Sequence, residues 1–162
     1  VIKLLNGYFT EMTAAIHQHG GTVDKFIGDG IMAFFGAPQL LECPERNAFE
    51  AAQEMLVRLE KYNLQLQALN QEKIRIGIGL HVGEVIVGHV GSESRNEYTA
   101  IGDVVNTSSR LESITKSLGY PIICSAEVAL AVRDHCDLVD LGEQPIKGRS
   151  AVRVYGYTPN HA

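Results

Sequence analysis

The sequence is poor in the features that announce most function classes. No uninterrupted apolar run approaches the ~18 residues needed to cross a bilayer, and the N-terminus lacks a charged segment followed by an apolar one. The reading is therefore a soluble, cytoplasmic domain, free or as the cytosolic module of a larger membrane or multidomain protein, with no membrane insertion of its own. Cysteine is scarce. Cys43, Cys124 and Cys136 are odd in number, widely spaced and without CxxC or Cys/His pairing, so neither a disulfide framework nor a zinc site is indicated and reduced thiols are expected. Positive charge is in deficit, 14 basic against 19 acidic residues for a formal net charge of -5, which disfavours general affinity for nucleic acid or anionic membrane. There is no G-x-x-x-x-G-K-[ST] phosphate loop, no G-x-G-x-x-G fingerprint opening a helix and no G-x-S-x-G elbow. The six histidines are dispersed and form no recognisable metal set.

What is present suits one globular domain over residues 1–162, because 45% hydrophobic and 20% charged residues can build a continuous core. Ile2, Leu5, Phe9, Met12 and Ile16 recur at three- and four-residue intervals and predict an amphipathic helix over residues 1–19, ended by Gly20-Gly21. Thr22 to Gly36 then holds two β-like runs folded back at an acidic turn, with Asp29-Gly30 as the expected type I′ centre. Pro38 and Pro44 make Ala37 to Glu45 a surface loop, and the Gly- and Pro-free stretch from Arg46 to about Leu69 predicts the longest helix.

Further on, Ile74 to Val82 and Val85 to Gly88 read as a second hairpin turning at Gly83-Glu84. Its glycines imply close packing or approach to a ligand, with packing the simpler account. Ser92 to Tyr98 reads as a loop, followed by a helix from about Val104 to Leu118 that Gly119 closes. A strand at Pro121–Cys124, a helix from Ala126 to about His135 opened by Ser125, and strands near Leu138–Leu141 and Val152–Tyr157 complete the chain. Interspersed helices and tight hairpins predict an α+β sandwich, helices over a mostly antiparallel sheet.

Four places carry side chains suited to chemistry. Lys25 and Asp29 bracket the first turn, Thr99 and Asp103 flank the entry to a helix, Asn106 and Arg110 are one turn apart on it, and Lys147 and Arg149 share a loop. At i and i+4, Asn106 and Arg110 meet on one face, where an amide beside a five-donor guanidinium can clamp phosphate oxygens. Each place also has a plain structural account: a turn-forming aspartate, solvated cations on a helix, a basic turn. His81, on a predicted strand among apolar neighbours, reads as a hydrogen-bonded packed residue, and Met12, Met32 and Met55 as core filling.

Three segments together change this balance: Lys25-Phe26-Ile27-Gly28-Asp29, Glu97-Tyr98-Thr99-Ala100-Ile101-Gly102-Asp103-Val104-Val105-Asn106-Thr107-Ser108-Ser109-Arg110-Leu111-Glu112, and Ile146-Lys147-Gly148. In type and spacing they closely resemble the catalytic domain of class III nucleotidyl cyclases, with a likeness running from Leu4-Leu5-Asn6-Gly7-Tyr8-Phe9 to the C-terminus. The resemblance implies a ferredoxin-like βαββαβ-type core with an extra C-terminal helix and strands. It implies that Asp29 is one of two metal-binding aspartates, that Lys25 and Thr99 read the purine, that Asn106 and Arg110 orient the ribose and stabilise the transition state, and that Lys147 binds the triphosphate. Lysine at position 25 goes with adenine, and threonine at position 99 resembles a bacterial-type adenylyl subgroup.

The implied activity is conversion of ATP to 3′,5′-cyclic AMP and pyrophosphate with two divalent cations, Mg²⁺ or Mn²⁺, at the interface of a head-to-tail homodimer. A guanylyl cyclase and an inactive, dimerising pseudo-cyclase are the alternatives. One departure stands out. The family's first strand, with its first metal aspartate, lies upstream of where this sequence starts, so the expectation is a fragment of a longer protein, inactive by itself.

Overall fold

The computed structural model describes residues 2–91, 97–146 and 150–159. They form two compact units, Val1–Ile76 and Gly77–Ala162. Among the described residues no helix is long and apolar enough to cross a membrane.

In the first unit, α1 (Ile2–Gln18) is followed by the hairpin of β1 (Thr22–Ile27) and β2 (Gly30–Phe34) and by the long α2 (Pro44–Ala68). Met12 and Ile16 of the expected apolar stripe are buried on α1. Tyr8 joins them, and Tyr8, Met12 and Leu59 form a core with Phe9, Ile31, Met55 and Ile76 packed against it. Gly20 ends α1 at φ +83°, and the Asn47 side-chain amide donates to the His19 carbonyl at 2.8 Å, tying the end of α1 to the start of α2. The second helix opens at Pro44 rather than Arg46, since a proline in the first turn lacks only an N–H that the helix leaves unused there.

The first turn differs from expectation by one residue. Ile27 pairs with Gly30, so the two-residue loop is Gly28-Asp29 rather than Asp29-Gly30. Gly28 has φ +61° and Asp29 is not in the positive-φ region, the pattern of a type II′ turn, which asks for glycine at its first central position. Asp29 remains at the tip. A β-bulge interrupts β1, because Val23 faces Ala33 and Lys25 faces Met32, leaving Asp24 as the extra residue.

In the second unit, β3 (Ile78–Leu80), β6 (Ile122–Ser125), β8 (Val152–Tyr157) and β7 (Val139–Gln144) form one sheet in that spatial order, while β4 (Ile86–Val90) pairs with β5 (Glu97–Ile101). Among the described residues of this unit, only β3–β6 is parallel. The helices are α3 (Asp103–Ser113), α4 (Thr115–Leu118) and α5 (Ala126–Val132). The α+β class and the mostly antiparallel pairing agree with the sequence reading.

The expected second hairpin is not formed. Residues 78–80 pair with β6 and residues 86–90 pair with β5, so the two runs belong to different sheets, and Glu97 and Tyr98 are strand rather than loop. Close packing explains Gly79 of β3 and Gly77 just before it. A Cβ at Gly79 would run into the Ser108 carbonyl and the Glu112 amide, and one at Gly77 into the Thr115 hydroxyl. Leu111, Ile123, Ile146, Val152 and Val154 form the core beneath.

The single helix expected over residues 104–118 is broken at Ile114, where the Thr115 hydroxyl donates to the Glu112 carbonyl at 2.7 Å. Gly119, at φ +80°, closes α4 as expected.

Candidate active site

The first unit carries Lys25 and Asp29 on one hairpin. Alternation along β1 would point Asp24 and Lys25 to opposite faces, but the bulge falls between them. Lys25 Nζ lies 3.8 Å from Asp24 Oδ1, with the lysine side chain 46% and the aspartate side chain 2% exposed. Asp29 is exposed at the tip. The hairpin is docked on α1 through Phe9 and Phe26, whose ring centroids lie 4.6 Å apart, and Phe9 in turn meets Tyr8 of the same helix at 5.4 Å. Burial first, and the Asp29 carboxylate second, push the Tyr8 phenol up to about 12.

The second unit carries Thr99, Asn106 and Arg110. Thr107 and Leu111 are buried, Leu111 in the core with Ile123 and Val154 of the sheet, while Asn106 and Arg110 are both exposed on a neighbouring face of the helix, about 100° round from them. This is the shared face that their i, i+4 spacing predicts. Thr99 sits on β5 opposite Gly88 and is 5% exposed, so its hydroxyl lies below the surface. Lys147 and Arg149 fall outside the described residues; Ile146, just before them, is buried in the core.

Asp29 offers hard carboxylate oxygens of the kind that Mg²⁺ and Mn²⁺ prefer. Among the described residues, no three of His, Cys, Asp and Glu gather to hold a metal ion. The described donors therefore do not by themselves make up a complete cation site.

Sequence reasoning passed over two features. Asp24 gave no signal, because a bulge is visible only once both strands are counted against each other. Ile86 and Ile101 are direct cross-strand partners, 76% and 52% exposed, and with Glu84, Val85 and Gly102 they line an open cleft of about 500 Å³ at the start of α3. Pairing the two runs correctly would have brought this apolar patch to light.

A family model described as adenylate and guanylate cyclase catalytic domain matches residues 1–158. Adenylate cyclase 1 of Rhizobium meliloti (strain 1021) is 34% identical over 156 residues, covering 96% of this chain and 24% of that protein. The chain thus spans about a quarter of the length of the curated relatives it matches. Among solved structures, the adenylyl cyclase CyaB from P. aeruginosa aligns with TM-score 0.85 at 31% identity, covering 99% of this chain and 83% of that one. The guanylyl cyclase Cya2 aligns with TM-score 0.83 at 34% identity, covering 96% and 78%.

Proposed function

The chain belongs to the adenylate and guanylate cyclase catalytic domain family, and from that premise we propose that it is an adenylyl cyclase catalytic domain, converting ATP to 3′,5′-cyclic AMP and pyrophosphate. The reading is carried by Asn106 and Arg110, exposed one turn apart on a helix that buried Thr107 and Leu111 hold in place. In the reaction the ribose 3′-oxygen forms a bond to the α-phosphorus while the bond to pyrophosphate breaks. Arg110 meets the charge that grows on the α-phosphate oxygens, and Asn106 holds the ribose so that attack is in line. Lys147 binds the distal phosphates.

Lys25 sets the base. An ammonium donates to the adenine N1 acceptor but would face the N1–H donor of guanine. Thr99, its partner in reading the purine, is 5% exposed, so its role requires the base to reach into β5 or a small opening there. Two divalent cations, Mg²⁺ or Mn²⁺, belong to this reading and would activate the attacking oxygen and offset the triphosphate charge, with Asp29 as a ligand. A head-to-tail homodimer supplies Asp29 from one subunit and Lys25, Thr99, Asn106, Arg110 and Lys147 from the other, giving two equivalent sites.

A guanylyl cyclase is the second reading, favoured by the likeness to Cya2. Purified protein carrying this domain, assayed with Mn²⁺ and either ATP or GTP, distinguishes them. Preference for ATP is expected. Preference for GTP would sink the Lys25 assignment, and nucleotide binding without cyclic product would point to a regulatory pseudo-cyclase.

A further inference from the structure

A carboxylate taken out of water must be matched by a cation or by hydrogen bonds. Asp24 has its side chain 2% exposed, and Lys25 Nζ lies 3.8 Å from its Oδ1. Adjacent residues of a regular strand cannot meet in this way, since their side chains leave opposite faces. The extra residue in β1 opposite Ala33–Met32 makes it possible, and re-aiming a side chain beside a functional site is a recurring use of such bulges.

Lysine has four side-chain torsions, so a half-exposed Lys25 samples many directions unless something holds it. The short, buried Asp24 has little freedom of its own. We propose that Asp24 is a positioning residue for Lys25, holding the ammonium of the purine-reading lysine in one direction through the bulge of β1. This rests on the reading of Lys25 given above. The nucleotide then meets a pre-aimed donor, and the ordering cost of the lysine is met on folding rather than on binding.

The test uses the protein carrying this domain and the variant Asp24→Asn, which keeps the side-chain shape and removes its charge. The first readout needs no turnover: limited acetylation followed by mass spectrometry, with exposed Lys61 as the internal reference. The Lys25-to-Lys61 labelling ratio is expected to rise about two- to fivefold in Asp24→Asn, the factor that a modest ion pair supports. The second readout is steady-state kinetics, where KM for ATP rises with kcat and thermal midpoint near wild type.

An unchanged labelling ratio, an unchanged KM, or a joint fall of kcat and thermal midpoint each overturns the proposal. Should Asp24→Asn not fold, Asp24→Glu decides, since it keeps the charge but misplaces it by a methylene: raised KM at wild-type kcat supports positioning and unchanged KM refutes it. Failure of the underlying reading looks different. Lys25→Ala would then leave KM for ATP unchanged while the labelling ratio in Asp24→Asn still rises.

Discussion

His81 Nδ1 and Ser125 Oγ share a hydrogen bond of 2.8 Å across the parallel pair β3–β6. Ser125 occupies the N-cap position of α5, yet its hydroxyl makes no capping bond to that helix. The serine that the sequence offers as a helix opener is fully buried and joined to the histidine instead. Ser125→Ala should therefore cost about 0.5–1.5 kcal/mol, the net worth of one hydrogen bond to a half-buried imidazole, and urea unfolding measures it. A change below a few tenths of a kcal/mol would mean that the pair contributes nothing net.

Gly79 sets how closely α3 approaches the sheet. A Cβ there meets the backbone at Ser108 and Glu112, which no side-chain rotation can relieve. Gly79→Ala should destabilise by about 1–3 kcal/mol and lower cyclase activity with it, since α3 carries Asn106 and Arg110. Thermal unfolding and activity, measured on the same preparation, check both effects.

Arg110 is exposed, so its loss should separate chemistry from folding. Arg110→Ala is expected to lower kcat about 10²–10³-fold while stability changes by no more than about 0.5 kcal/mol. A large loss of stability alongside would assign Arg110 to the fold.

Asp29→Ala and Arg110→Ala should complement each other if the site is shared between two copies. Each variant alone is nearly inactive. After mixing and subunit exchange, about a quarter of wild-type activity returns, because half of the random dimers hold one intact site of two. No recovery, with exchange confirmed by mass spectrometry, would place both residues in the same subunit's site.

Cys124 is buried on β6, and burial, with Cys136 contributing second, pushes its thiol up to about 12 from 9. The folded protein thus keeps this proton where the unfolded chain loses it. Stability from this group is full below pH 9 and is lost as pH rises through about 12. At pH 8 Cys124 should resist alkylation in the native protein and react on unfolding, whereas partly exposed Cys43 should react from the start. Early modification of Cys124, located by peptide mapping, would contradict its burial.

The elements that depend on local pattern were legible in the residues. Met12 and Ile16 mark the buried stripe of α1, the Val23 to Phe34 run marks the first hairpin, and Thr107 and Leu111 against Asn106 and Arg110 mark the two faces of α3. Helical periodicity and turn chemistry act over a few residues, so a single segment contains the information. Gly28 and Asp29 show the limit of that reading: the residues identify a turn, but only the pairing of Ile27 with Gly30 sets its register.

The chain itself determined the class of fold, the approximate places of the helices but not the break at Ile114, and the residue types that a cyclase site needs. Tertiary structure alone decided that β3 joins β6 while β4 joins β5, that Thr99 lies below the surface, and that Asp24 meets Lys25. Alternating residues state that a strand exists but not which distant strand will satisfy its amides and carbonyls. That choice falls to packing, here to Gly79 of β3, which lets α3 approach, and to the one extra residue in β1.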